Sequence, residues 1–314
     1  MLSRVADAVY WMGRYLERAE NITRLLLVTD DFATETRGSA EDLAEAAWND
    51  LLAILPSAEL TRPVSAFAPL SQPYLQAFFV DAKNPYSVHY SLRKARENAR
   101  AVREALTVEV FMSINETFHA VEAYGERRPD VTGLRDALTT THKGLFGIVG
   151  AIDSTFTRDE GWHFFTLGAA LERIYRTALI LRAKLPALLA ARPDQPLYYT
   201  QWRALLRSVS SLENYRRARG ASLEADLVVG FLLFDAHSPR SLRATSAAMK
   251  ECLERIAGNG ELALAARLAG KLHADLSYDD DERSARRPSS ASLDRVVDAV
   301  TRTHDAISAQ YFVS

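Results

Sequence analysis

Cysteine is nearly missing from this chain. Cys252 is the one thiol in 314 residues, which excludes an intramolecular disulfide and any multi-cysteine metal site and points to a reducing, cytoplasmic setting. Glycine and proline are scarce, at 14 and 11, in keeping with a helical protein. Neither sign of charge dominates: the formal balance of −2 gives no bulk electrostatic support for binding nucleic acid or an acidic membrane surface. Long apolar runs are absent too, since stretches such as 227–234 fall far short of the ~20 residues that a membrane span requires. The opening Met1-Leu2-Ser3-Arg4-Val5-Ala6-Asp7 is already amphipathic and charged, so no secretion signal is expected there. There is no Gly-x-Gly-x-x-Gly and no Gly-x4-Gly-Lys-Ser/Thr loop, so nucleotide hydrolysis by a familiar loop is not expected, and no cofactor is indicated.

What is present is a helical rhythm. Hydrophobic residues make up 48% and charged residues 25%, the ordinary globular mix, and a chain of this length can bury a large core. Val5, Val9, Met12, Leu16, Ala19, Ile22 and Leu26 recur at three and four, which places them on one buried stripe. Strand-like alternation is hard to find. The pattern predicts an all-α fold with helices near 2–36, 40–56, 84–126, 133–156, 160–186, 198–219, 238–256, 259–275 and 288–312, and shorter pieces near 72–80 and 224–234. Proline-bearing loops are expected at 56–73 and 186–197. The stretch 277–290, with Asp279-Asp280-Asp281-Glu282 followed by Arg283, Arg286 and Arg287, reads as a polar connector rather than a metal site, because adjacent carboxylates are not spaced as a ligand set.

The chain also repeats itself. Leu16-Glu17-Arg18 returns as Leu171-Glu172-Arg173, with Gly13 and Gly168 three residues before each, at an offset of 155. Trp48, Leu51 and Leu52 match Trp202, Leu205 and Leu206 at an offset of 154. At the same offset Phe78-Phe79-Val80-Asp81-Ala82-Lys83-Asn84-Pro85-Tyr86-Ser87 faces Leu232-Leu233-Phe234-Asp235-Ala236-His237-Ser238-Pro239-Arg240-Ser241, with four identities in ten. The expected architecture is therefore one domain, 1–314, a helical bundle of two pseudo-duplicated halves near 1–158 and 159–314.

Asn84-Pro85-Tyr86-Ser87 and Ser238-Pro239-Arg240-Ser241 read as helix starts, with Asn or Ser as the N-cap and proline in the next position. The functional alternative is a phosphate or carboxylate held at these helix N-termini, with Ser87 or Ser241 in the first turn. In the Glu-Arg helices, Gly13, Glu17, Glu20 and Arg24 share one face, as do Gly168, Glu172 and Arg176. A glycine one turn before each glutamate admits a close helix neighbour, and a carboxylate buried there must be paired. Arg18 and Arg173 point about 100° away from the glutamates. Two readings stand side by side: polar clamps that lock the halves together, or carboxylates and guanidinium groups presented to a ligand, with a general base as the catalytic form of the second.

Arg93, Arg96, Arg100 and Arg103 form a basic stripe, with Arg93–Glu97 and Arg100–Glu104 as four-residue pairs. Arg96-Glu97-Asn98-Ala99-Arg100, followed by Glu109 and Asn115-Glu116, is a dense polar series suited to binding an anion. Glu116-Thr117-Phe118-His119 and Glu160-Gly161-Trp162-His163 match the Glu-x-x-His pattern of di-iron bundles, for which Glu17 and Glu172 would be the further glutamates. The two patterns occupy unrelated places in the repeat, and His89 and His237 add no ligand set, so no metal is assigned. Gly144-x-x-Gly147-x-x-Gly150 is helical spacing for close packing, and Cys252 lies inside a helical stretch, as a structural thiol would.

Ser3-Arg4-Val5-Ala6 leading to Tyr10-Trp11-Met12-Gly13-Arg14-Tyr15-Leu16-Glu17-Arg18-Ala19-Glu20-Asn21 closely resembles the opening of bacterial alpha-E domain proteins, an all-helical family. Ala95-Arg96-Glu97-Asn98-Ala99-Arg100, Arg158-Asp159-Glu160-Gly161-Trp162 running into Leu171-Glu172-Arg173, and Ile307-Ser308-Ala309-Gln310-Tyr311-Phe312 look like the family's other landmarks. The resemblance implies a genetic neighbourhood shared with circularly permuted ATP-grasp ligases, often with transglutaminase-like peptidases and proteasome-like hydrolases. It implies an accessory or substrate-binding partner of an ATP-grasp-type amide ligase in a peptide synthesis or modification system, or an independent helical enzyme in the same pathway. The residues nominated for a polar site are Glu17, Arg18, Glu172 and Arg173, supported by Arg14, Arg96, Glu97, Asn98, Arg100, Arg158, Asp159 and Trp162. One departure is Ala169, which stands where the first copy has Arg14.

Overall fold

The computed structural model describes residues 1–56, 71–127, 131–258, 263–278 and 289–312. The body of the loop expected at 56–73, the first residues of the helix expected at 259–275, and the acidic run Asp279-Asp280-Asp281-Glu282 with its arginines lie outside them. Among the described residues there are thirteen α-helices and no strand, so the chain is all-α. It divides into two compact units, Trp11–Trp162 and the pairing of Met1–Tyr10 with His163–Ser314.

In the unit Trp11–Trp162, α1 (Ser3–Glu35) is followed by α2 (Glu41–Ile54), α3 (Ser71–Leu75), α4 (Val88–Ala101), α5 (Val108–Arg127) and α6 (Val131–Thr155). The indole of Trp48 on α2 is fully buried and stacks on Tyr74 of α3, ring centres 4.8 Å apart. α3 passes into one π-helical turn at Gln76–Val80. α5 and α6 run antiparallel: Thr107 bonds Thr155 at 2.8 Å at one end, and Thr117 lies midway against Gly144. A Cβ on Gly144 would stand 2.8 Å from the Thr117 hydroxyl, so this glycine does set a close approach. Gly147 and Gly150 have no atom within 4 Å of that position, and the packing role expected from their spacing is confined to Gly144. Arg135 of α6 bonds both Asp30 and Asp31 near the end of α1.

The helix expected over 84–126 is two helices. α4 ends at Ala101, a 3-10 turn follows at Arg103–Ala105, and Leu106 is extended. Arg103 closes the turn, donating to the Leu106 carbonyl at 3.3 Å and lying over the Phe111 ring. The Arg100–Glu104 pair of a continuous helix is thereby lost, because Glu104 sits beyond the end of α4. α4 also starts later than expected. Ser87 is its N-cap, accepting from Tyr90 N at 2.9 Å, while Asn84 makes the preceding turn by accepting from Tyr86 N.

In the unit formed by Met1–Tyr10 and His163–Ser314, α7 (Glu160–Ala190) leads to α8 (Tyr198–Ser208), α9 (Leu212–Arg219), α10 (Ala225–Phe234), α11 (Leu242–Ala257), α12 (Leu264–Ser277) and α13 (Ser290–Tyr311). α7 carries Pro186 inside it and runs on to Ala190, since one lost amide donor removes a single ladder bond. The helix expected over 198–219 breaks between α8 and α9, where Ser210 takes a left-handed φ of 50°. Ser241, not Ser238, caps α11. The two ends of the chain meet here: Ser3 donates to the Tyr311 carbonyl at 2.7 Å, and Tyr10 bonds His304 at 2.9 Å and packs on Phe312. That contact accounts for the aromatic pair at the C-terminus.

Candidate functional site

The Glu-Arg segment of α1 is a buried polar chain. Glu17, Glu20, Asn21 and Arg24, at spacings of three, one and three, are each less than a tenth exposed. Asn21 donates from Nδ2 to Glu17 Oε1 at 3.1 Å, and Arg24 bonds the Glu20 carboxylate and Asn21 Oδ1. From α6, His142 Nε2 lies 3.3 Å from Glu20 Oε1, a contact between residues 122 apart that no sequence spacing signals. In α7, Glu172 is fully buried and accepts from Arg176 Nε at 2.9 Å. Charges taken this far from water persist only with hydrogen-bonding partners close by, and each helix supplies one from its own next turn. Gly13 and Gly168 are both buried.

Arg18 faces elsewhere, as its angular position requires. Its guanidinium lies over the Tyr15 ring at 5.2 Å, Arg14 lies over Trp11 at 4.9 Å, and the Trp11 and Tyr15 rings are 5.4 Å apart. α4 adds a second set, of which the sequence pattern singles out Arg93 alone: Arg93 at 5.1 Å and Lys94 at 5.9 Å from the Tyr90 ring. Tyr90 and Lys94 are close enough to Tyr15 to act on its ionisation. Burial holds the Tyr15 hydroxyl above the ordinary phenol range, with Arg18 opposing that shift and Tyr90 reinforcing it. The signal was in the sequence as positions 11, 14, 15, 18 and 90, 93, 94, 97, two stripes of identical helical spacing.

The remaining nominated residues do not converge. Arg96 turns to α5, donating to Asn115 Oδ1 at 2.6 Å and lying over Phe118. Glu97 pairs with Lys94 at 2.7 Å, Asn98 is half-buried, and Arg100 is exposed. Arg158 bonds Asp153 at 2.6 Å and lies 4.4 Å from the Trp162 ring centre. Asp159 accepts from the amides of Gly161 and Trp162 and so caps the first turn of α7.

Ser87 and Ser241 are fully buried and donate to the carbonyls of Asp81 and Asp235, so their hydroxyls serve the turn rather than a phosphate. His119 is engaged by Glu122 at 3.0 Å and Arg96 at 3.4 Å. Among the described residues, no group of three or more His, Cys, Asp or Glu side chains is placed to hold a metal ion. Burial pushes the Cys252 thiol up to about 12, leaving it unsuited to nucleophilic work at neutral pH. His89 is buried beside Phe118, and burial lowers its pKa below the ordinary histidine value. A groove of about 860 Å³ lies among α10 to α13, lined by Leu233, Lys271, Leu272, Tyr278, Arg295 and Val296, and none of the nominated residues line it.

No helix of the described residues is long and apolar enough to cross a membrane. No solved structure matches the chain. An uncharacterized protein of Mycobacterium bovis and two of Mycobacterium tuberculosis, one from each of two strains, are 28% identical to it over 255 residues. The alignments cover 76% of this chain and 28% of each relative, so the chain spans well under half the length of these proteins. The family model for Alpha-E, described as a predicted alpha-helical domain with a conserved ER motif, matches residues 1–312. A Glu-Arg dipeptide stands in both α1 and α7, at Glu17-Arg18 and Glu172-Arg173, and the chain belongs to the Alpha-E family.

Proposed function

We propose that this chain is an accessory, substrate-binding partner of an ATP-grasp-type amide ligase in a peptide synthesis or modification system, acting in the bacterial cytoplasm. The observation that carries this reading is the coverage of the relatives. In each, the aligned region is 28% of a much longer chain, the arrangement expected of a domain that works beside others. The chemistry of the Glu-Arg helices supports the same view: Glu20 and Glu172 are bonded by arginines of their own helices, a use of charge that holds a scaffold in place. The ligase itself enters through the family resemblance, and a transglutaminase-like peptidase is the further partner in the same system.

The test is to co-purify this chain with the ATP-grasp protein encoded nearest to it and to measure ATP-dependent amide formation by each alone and by both together. A stable complex with turnover that depends on this chain supports the accessory role. No complex, with ligase turnover unchanged, removes it. Turnover by this chain alone, lost in Glu17→Gln with an unchanged melting temperature, would instead make it an enzyme in its own right.

A further inference from the structure

The groove among α10 to α13 belongs wholly to the unit formed by Met1–Tyr10 and His163–Ser314. Its floor is apolar: Leu233 at the end of α10, Leu242 at the start of α11, Leu272 of α12, and Leu293 and Val296 of α13 are each less than a tenth exposed. At the offset of 154, Leu233 stands where the chain has the bulkier Phe79, itself fully buried. The polar groups at the edge are nearly all engaged. Lys271 bonds Asp275 at 2.9 Å, and at the start of α13 Ser292 donates from N to Ser289 Oγ at 3.2 Å and from Oγ to the Ser289 carbonyl at 2.7 Å. Arg295 is the exception. It is exposed at the groove, no other described residue pairs with it, and the neighbouring Asp294 is taken by Arg182 at 2.9 Å.

We propose that this groove binds a small molecule with an apolar body and one carboxylate, the body over the leucines and Val296 and the carboxylate on Arg295. Its volume of about 860 Å³ falls in the range of sites for drug-sized ligands, which are mostly apolar with a few polar groups that fix orientation. A guanidinium fork holds a carboxylate in two parallel hydrogen bonds, and without it the charge would lie uncompensated beside apolar surface. With Lys271 balanced by Asp275, one positive charge remains, which matches a monocarboxylate better than a phosphate monoester of nearly twice the charge. Two sources share this chemistry: a fatty acid, and a short apolar peptide with a free C-terminus. An amide ligase consumes a carboxylate, so the inference names a substrate class for the accessory role and rests on that role for what becomes of the ligand.

The experiment is calorimetric titration of the full chain with octanoate in one arm and acetyl-Leu-Ala-Leu, its carboxylate free, in the other. Binding of either is expected, and the arm that binds identifies the source. The uncharged counterparts, 1-octanol and the peptide carboxamide, should bind roughly tenfold more weakly or worse, and Arg295→Ala should weaken the carboxylates by a similar factor. Ala299→Phe, which places a ring in the groove, should abolish binding. Arg295 is exposed, so its variant keeps the fold and tests the proposal even where the filled groove does not. Failure of both carboxylates to bind, equal binding of the uncharged forms, or equal binding by Arg295→Ala overturns the proposal. The two readings fail separately: a ligase complex without carboxylate binding removes the groove alone, and carboxylate binding without a ligase complex removes the accessory role alone.

Discussion

α4 and α11 begin in the same way and then diverge. In both, a serine accepts from the amide three residues on, Tyr90 N at 2.9 Å or Ala244 N at 3.0 Å, and donates to an aspartate carbonyl, that of Asp81 or Asp235. The aspartate side chain accepts from Lys83 N or His237 N, and a hydroxyl one turn in, Ser91 or Thr245, bonds the serine carbonyl. One turn later α4 carries Tyr90, Arg93 and Lys94 where α11 carries three alanines. Ser87, Ser91, Ser241 and Thr245 are buried and bonded to backbone carbonyls, whereas Tyr90, Arg93 and Lys94 are half-buried. Backbone satisfaction thus marks what these two helix starts have in common, and the half-buried positions one turn on are where α4 and α11 differ.

The sharpest test of that division is the glutamate buried in both helices, Glu17 in α1 and Glu172 in α7. Arg176→Met removes the guanidinium beside the fully buried Glu172 carboxylate and should cost about 3–5 kcal/mol in urea denaturation. A loss below about 1 kcal/mol would mean that the buried Glu172 carboxylate does not depend on Arg176, and the division would fail at its strongest point.

The capping serines come next. Ser87→Ala and Ser241→Ala each remove an acceptor for a helix amide and a donor to a buried carbonyl, so each should cost about 2 kcal/mol, the upper end for N-caps. The comparison predicts near-equal losses. A difference beyond about 1 kcal/mol would show that the same hydrogen bonds carry unequal loads in α4 and α11.

A pH dependence follows from His89, whose counterpart at the same offset is Arg243. Burial lowers the His89 pKa, so the native state favours the neutral ring. The stability this confers is fully present above the ordinary histidine value of 6.5 and is lost as pH falls through the lowered one. His273 on α12 is lowered in the same sense, again chiefly by burial, and adds to the acid loss. Thermal melts from pH 8 to pH 5 should therefore show falling stability, with part of the fall removed in His89→Gln. An unchanged acid limb in that variant would clear His89 of the effect.

Much of this was legible in the chain. The three-and-four rhythm gave the helices, because each buries one face, and the recurring Leu-Glu-Arg marked helices whose glutamates are buried beside arginine or asparagine. The breaks at 102–107 and 209–211 were not legible, since neither Arg103-Glu104-Ala105 nor Val209-Ser210-Ser211 contains glycine or proline. One turns on a side chain reaching a carbonyl, the other on a left-handed serine. The pattern puts the N-caps three residues early, at Asn84 and Ser238, because asparagine or serine before proline is also a good cap, and the Asx turn at Asn84 leaves Ser87 to open the helix. Arg96 was read as part of a ligand series, yet its partner Asn115 comes from the next helix, which a spacing rule within one helix cannot foresee.

The smallest expected effect is the most telling for the unshared surface. Arg93 and Lys94 are more than a third and about a third exposed, and their pairing with Glu97 spans a single helical turn. Such exposed pairs contribute about 0–0.5 kcal/mol, and alanine returns a similar amount through its helix propensity. Arg93→Ala/Lys94→Ala should therefore leave the denaturation midpoint within about 0.5 kcal/mol of the parent. A loss of about 2 kcal/mol or more would move these cations from the surface to the scaffold, and the reason for their absence from α11 would have to be sought in how that helix packs.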